Sequence, residues 1–333
     1  MMIPEIDIAS LFDGPSDARD LVDREIFRAA GEIGFMTITG LPDDCLSRDL
    51  RKDLLSIFEL PDSEKRTLTR KNFVPENMNV YRGWFPLQNG YPTYKEGIDI
   101  GADIIDKTRV PDPLDPLTEL TPLPDLPTWR VAAEQYYGAM SKTGGALMRS
   151  IARALSLPEM QFDAAFQNGT STLRMIHYPP RPSESFGSED KDFWAEYKGE
   201  QRYLLGAAHM DSGFITLLAQ DGVEGLQAKT RDGEWIMVPP KEGTLTVNFG
   251  KLLQRWTGGA IKATIHRVIG NGQRRYSVPF FFEPSINTVI APLEGCGEPF
   301  APVLYGDHLW EATTGFVEQK GIAHLRQPKG VGV

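Results

Sequence analysis

The chain has 333 residues and a mass of 37.1 kDa, enough for one large domain or two ordinary ones. With 41% hydrophobic and 24% charged residues it can build a sizeable core, which excludes a disordered chain. Its net charge of −10, with 45 acidic against 35 basic residues and no basic run, argues against nucleic acid and against an anionic membrane as partners.

Cys45 and Cys296 are the only cysteines, too few for a disulfide framework or a thiolate zinc site, and they fit a cytoplasmic location. The N-terminus, MMIPEIDIASLFDG, lacks the apolar stretch of a signal peptide, and no apolar run is long enough to span a membrane. Residues 17–30 predict an amphipathic helix with Leu21, Ile26, Phe27 and Ala30 on one side. A short strand follows between Gly34 and Gly40, then a second helix over 47–58. Residues 72–126, rich in Pro, Gly, Asn and Asp, predict a long and mostly irregular excursion. The longest helical pattern starts at Pro127 and recurs through Trp129, Tyr136, Met140, Leu147 and Ile151, with a break expected at Gly144-Gly145.

From Thr172 the period changes to two. Segments 173–178, 203–208, 214–220, 226–228, 235–238, 244–249, 263–269 and 276–282 read as short strands, which predicts a sandwich or jelly roll. Residues 181–202 are polar but include Phe193 and Trp194, and are expected to form a partly helical lid over a pocket.

His209 and Asp211 form an H-x-D pair, whose side chains share one face of an extended strand. Alone, such a pair reads first as a structural histidine beside an exposed Asp. A histidine from another strand would complete two nitrogens and one carboxylate around open positions, a set suited to non-haem Fe(II) chemistry. His266, within the apolar pattern ATIHRVIG, supplies one. Arg275 and Ser277 also share a face on a strand otherwise rich in Val and Phe, where they suit either a bound carboxylate or an internal ion pair.

Taken in order, His209-x-Asp211, His266 and Arg275-x-Ser277 resemble the isopenicillin N synthase-like branch of the Fe(II)/2-oxoglutarate-dependent oxygenases. Gly225-Leu226-Gln227, residues 233–240 and 247–257, and His266-Arg267-Val268 are similar to the core of that family. Residues 3–7 and Gly34-Phe35-Met36 are similar to its N-terminal region, so the resemblance covers nearly the whole chain. It implies a mainly β fold, a double-stranded β-helix (jelly-roll) core with flanking α-helices. The expected organisation is a single compact unit: an N-terminal helical region over 1–170, a catalytic core over 171–290 and a C-terminal extension over 291–333.

The resemblance further implies Fe(II) held by His209, Asp211 and His266, with 2-oxoglutarate as cosubstrate and O2 as oxidant. Arg275 and Ser277 would hold the distal carboxylate of 2-oxoglutarate, and Tyr178 would contact it. Ile176 stands where the family often has Asn, which puts one polar contact to the cosubstrate in question. The implied reaction oxidises a C–H bond of a small organic molecule, by hydroxylation, desaturation or ring closure, and releases succinate and CO2. Asp211 argues against halogenation, for which relatives carry a small residue there. Two other readings share the scaffold: an oxidase that does not use 2-oxoglutarate, and a catalytically silent binding protein, against which the intact triad argues.

Candidate substrate-pocket residues are Tyr81, Arg82, Trp84 and Phe85 in the irregular excursion, Arg174 by its parity with Tyr178, and Phe282 beyond the R-x-S strand. His177, of opposite parity, reads as structural, and His308 and His324 as surface residues.

Overall fold

A computed structural model describes residues 2–186 and 190–331. Strands β1 (Glu5–Asp7), β2 (Phe35–Thr39), β3 (Gly83–Phe85) and β4 (Glu96–Ile100) come from the first third of the chain. After the long helix Pro127–Ala154 come β5 (Thr172–Tyr178), β6 (Trp194–Tyr197), β7 (Glu200–His209) and β8 (Ile215–Gln220). They are followed by β9 (Leu226–Lys229), β10 (Trp235–Met237), β11 (Leu245–Phe249), β12 (His266–Ile269) and β13 (Arg275–Phe282). The larger sheet runs β1-β2-β11-β8-β13-β5-β4-β3 and the smaller β10-β9-β12-β7-β6. All eight strands expected from the alternation after Thr172 are present, four in each sheet, and the two sheets face each other across a cavity as a jelly roll.

The N-terminal region does more than pack helices on this core. The excursion over 72–126, expected to be mostly irregular, contributes β3 and β4, which extend the larger sheet beside β5. These strands are too short and too interrupted by turn residues for alternation to reveal them.

The helix Asp17–Glu32 starts at Ser16, whose hydroxyl accepts from the N–H of Arg19 at 3.2 Å, and Asp17 and Asp20 complement the positive end of its dipole. Leu21 does not join its buried side and is half exposed. The helix Pro127–Ala154 buries Trp129, Tyr136, Tyr137, Met140, Leu147 and Ile151 between the N-terminal helices and the outer face of the larger sheet. There the Tyr137 and Phe280 rings meet edge to face at 4.9 Å, and the Tyr136 hydroxyl donates to the Val278 carbonyl. The break expected at Gly144-Gly145 is absent: the helix runs through both residues. A Cβ on Gly144 would lie 2.4 Å from the Phe282 ring, so this glycine marks a close approach of helix to sheet. Among the described residues, no helix is long and apolar enough to cross a membrane.

Candidate active site

His209 ends β7 and His266 begins β12, and the two residues face each other directly in the antiparallel register. A register shift between His266 and Val268 bends β12 at this point. The turn after β7 is pinned from behind, where the carbonyls of Asp211 and Ser212 accept from the N–H groups of Lys251 and Leu252. One ligand atom from each of His209, Asp211 and His266 therefore falls within 4.8 Å of the other two. Asp211 Oδ1 lies 3.6 Å from His209 Nε2 and 3.7 Å from His266 Nε2.

Hydrogen bonds behind these three atoms decide what each presents. His209 Nδ1 lies 2.8 Å from the Ala207 carbonyl, and His266 Nδ1 lies 3.0 Å from that of Thr264. A carbonyl only accepts, so Nδ1 carries a hydrogen on both rings, and in the neutral tautomer this selects, the lone pair is on Nε2. Asp211 Oδ2 accepts from the Thr216 hydroxyl at 2.5 Å and from the Asn248 amide at 2.7 Å, which leaves Oδ1 for the shared point. Burial alone would raise the Asp211 carboxyl, but His266, His209 and the Thr216 hydroxyl hold it well below the usual carboxylate range. Burial also lowers the His266 imidazole. An ionised carboxylate is the form of Asp211 that a divalent metal needs. Two nitrogens and one oxygen, oriented by these outer bonds and open on the cavity side, fit a facial Fe(II) site.

The cavity holds about 370 Å³ and is lined by both sheets. At one end Arg275 stands opposite Tyr178 in the β13–β5 register, and its guanidinium carbon lies 5.1 Å from the Tyr178 ring centre. Arg275 is 1% exposed, and only its Nη2 has a partner, the Gln220 side chain at 3.1 Å. Its Nε and Nη1 are buried without an acceptor among the described residues. Buried guanidinium N–H groups without partners, on a wall shared with Ser277, Leu218 and Val268, fit a carboxylate-bearing ligand. Ile176 lines the same end as an apolar side chain, so it offers no polar contact there.

The other end differs in part from the sequence-based expectation. Tyr81 and Arg174 line the cavity as expected, but Arg82, Trp84, Phe85 and Phe282 do not. Arg82 is buried among the Thr170 and Thr172 oxygens, and Trp84 and Phe85 pack in the interior. Phe282 points outward, stacked on Phe166 at 4.5 Å. Strand parity explains the last error: Arg275, Ser277, Pro279, Phe281 and Glu283 face the cavity, so Phe281 takes the place assigned to Phe282.

Lys95, Asp99, Glu283 and Glu318 also line this end and were not anticipated. Parity with Arg275 could have found Glu283, and a lone Asn in the apolar run of β11 marked Asn248. The C-terminal stretch walls the cavity through Leu309, Thr313, Phe316 and Glu318.

No described residue of 181–202, the expected lid, lines the cavity. Residues 187–189 lie outside the described residues. Ser183–Ser185 forms a 3₁₀ turn and β6 pairs with β7, while buried Arg181 donates to the carbonyls of Tyr91 and Pro92. The segment thus supports the loop over 91–93, which does line the cavity, from one layer behind.

His177 stays outside the metal site, bonded to Glu96 at 2.8 Å and stacked on Tyr276. His308, expected on the surface, is half-buried and donates from Nε2 to the Ser212 carbonyl at 2.9 Å; His324 is exposed.

Comparison with known proteins agrees with this geometry. A family model described as 2OG-Fe(II) oxygenase superfamily matches residues 169–284, and one described as non-haem dioxygenase in morphine synthesis N-terminal matches residues 3–122. The 2-oxoglutarate-dependent dioxygenase citB of Monascus ruber is 31% identical, over 94% of each chain. Isopenicillin N synthase of Streptomyces clavuligerus is 30% identical, over 96% of this chain and 97% of its own. The crystal structure of a full-length Neurospora crassa protein in complex with alpha-KG superposes with a TM-score of 0.76 at 25% identity, covering 94% of this chain and 96% of the other. Similarity of this extent, over the half that carries the triad and the half that precedes it, means that the chain belongs to the 2OG-Fe(II) oxygenase superfamily and is a non-haem iron, 2-oxoglutarate-dependent dioxygenase.

Proposed function

We propose that His209, Asp211 and His266 hold the iron, that Arg275, Ser277 and Tyr178 receive 2-oxoglutarate, and that a small organic substrate occupies the opposite end of the cavity beside Arg174 and Phe281. The observation that carries this reading is the pairing of a three-ligand point with a buried, under-bonded Arg275 in one cavity. With iron and 2-oxoglutarate bound, O2 would be the oxidant of a substrate C–H bond, and 2-oxoglutarate, oxidised in the same turnover, would leave as succinate and CO2.

The protein's own contribution is positional. The Ala207 and Thr264 carbonyls keep the two imidazoles in the tautomer that aims Nε2 at the metal point. Thr216 and Asn248 restrain the Asp211 carboxylate so that a single oxygen is offered. Arg275 gives the cosubstrate's far carboxylate a buried charged partner, and Tyr178 packs against that guanidinium. The C-terminal stretch at Phe316 and Glu318 closes the substrate side. The free thiols Cys45 and Cys296 support a cytoplasmic location.

Succinate release measured across a panel of small organic molecules tests the reading. Turnover that requires both Fe(II) and 2-oxoglutarate, is stimulated by at least one panel member, and is absent in Asp211→Ala is the expected result. Substrate oxidation by the iron-loaded protein without 2-oxoglutarate would favour the oxidase reading instead.

A further inference from the structure

The end of the cavity remote from Arg275 carries positive charge that its neighbouring carboxylates do not balance. Arg174 reaches this end from β5, four residues before Tyr178 and so roughly 13 Å from it at about 3.3 Å per strand residue. Its Nε and Nη2 donate to Asp99 at 2.5 and 2.7 Å, while Nη1 has no acceptor among the described residues. The Phe85 and Phe281 rings lie 5.2 and 5.6 Å from its guanidinium carbon and restrict how that plane can turn.

Asp99 is shared. Arg70, fully buried, also donates to it and leaves Nε and Nη1 without partners among the described residues. Lys95 pairs with Glu318 at 2.9 Å. Arg174 and Arg70, which lies behind the cavity wall, thus share the single carboxylate of Asp99, while Lys95 and Glu318 balance each other. Glu283, also at this end, is engaged elsewhere: it accepts the Tyr305 hydroxyl at 2.6 Å and the Phe214 N–H at 3.4 Å, and burial pushes its carboxyl up to about 8. A buried cation without a countercharge is costly, and a ligand anion removes that cost.

We propose that this end of the cavity binds a carboxylate, so that the substrate is a small organic acid whose acidic group sits on Arg174 and whose apolar body lies along Tyr81, Phe281, Leu309 and Phe316. The proposal rests on the reading that gives the Arg275 end to 2-oxoglutarate. It requires two carboxylate sites in one cavity: Arg275 for the cosubstrate and Arg174 for the substrate.

The test uses the iron-loaded protein saturated with 2-oxoglutarate and kept free of oxygen. The probes are matched series of small alkyl and aryl carboxylic acids, their carboxamides and the corresponding amines. Calorimetry reads probe binding, and the metal-to-ligand absorption band, recorded beforehand, reports 2-oxoglutarate. Absence of that band would count against the cosubstrate reading alone, so the two failures are separable.

At least one acid should bind at least about tenfold more tightly than its amide and its amine. Arg174→Gln should bring that ratio close to one while the band persists. If no acid exceeds its amide anywhere in the series, or if the preference survives Arg174→Gln, the proposal is overturned. The wild-type comparison decides the matter even if the variant does not fold.

Discussion

The two ends of the cavity are built in different ways. At the Arg275 end and around the metal point, the functional side chains come from strands β5, β7, β8, β11, β12 and β13, placed by parity and register, with Asp211 added by the pinned turn after β7. A two-residue step is enough to put Arg275 and Ser277 on one face, and direct pairing is enough to bring His266 to His209. At the Arg174 end the wall is assembled from β4, β5 and β13 together with the loop over 91–95 and the stretch over 309–319. The shared chemistry sits where the sheets determine position, and the features that select a substrate sit where distant segments meet.

The largest effect that would break this comparison is at the metal point. Asp211→Ala removes the one ionised ligand and also strands the Thr216 and Asn248 donors, so Fe(II) affinity should fall by at least about 100-fold, with loss of nearly all turnover. Metal titration of the apoprotein checks this, and retention of near wild-type affinity would remove Asp211 from the site.

The adjacent phenylalanines of β13 sharpen the contrast between its faces. Phe282→Ala should destabilise the fold by about 3–5 kcal/mol, because that ring fills the contact with Gly144 and Phe166. Phe281→Ala should cost markedly less stability and instead weaken binding at the substrate end. Urea denaturation of both variants, with probe binding alongside, separates the two roles, and equal stability losses would contradict the parity assignment.

A smaller effect is expected one layer behind the metal. Asn248→Ala leaves all three ligands but frees Asp211 Oδ2 from one of its two donors, so Fe(II) affinity should drop about 10- to 100-fold with little change in the 2-oxoglutarate requirement. Competition with a chelator measures it.

How much of this was legible in the sequence follows from how local each feature is. The strands after Thr172 alternate cleanly, and R-x-S is a two-residue pattern on β13, so strand geometry alone gave it a common face; H-x-D is found by spacing, but β7 stops at His209 and Asp211 is brought in by the turn after it, not by strand parity. The pairing of Arg174 with Asp99 joins residues 75 positions apart, through a strand hidden in a Pro- and Gly-rich excursion, and no periodicity announces it. Lys95 and Glu318 are further apart still. The run Val278-Pro279-Phe280-Phe281-Phe282 is apolar on both faces and carries no phase of its own. Its phase had to come from Arg275, four positions before Pro279, and counting from there selects Phe281.

His308 read as a surface residue because its partner is a backbone carbonyl in the turn that carries Asp211, which side-chain spacing cannot show.

The central claim, that parity on β13 makes Arg275 the anchor of 2-oxoglutarate, is tested most directly by titrating 2-oxoglutarate into the iron-loaded, oxygen-free protein and following the metal-to-ligand absorption band. Arg275→Gln should weaken cosubstrate binding by about 2–5 kcal/mol, at least roughly 30-fold, because it removes the charged partner of a buried carboxylate, while Fe(II) affinity stays near that of the wild type. Wild-type 2-oxoglutarate affinity in Arg275→Gln would contradict the account and move the anchor elsewhere in the cavity, with Arg174 the next guanidinium on its wall.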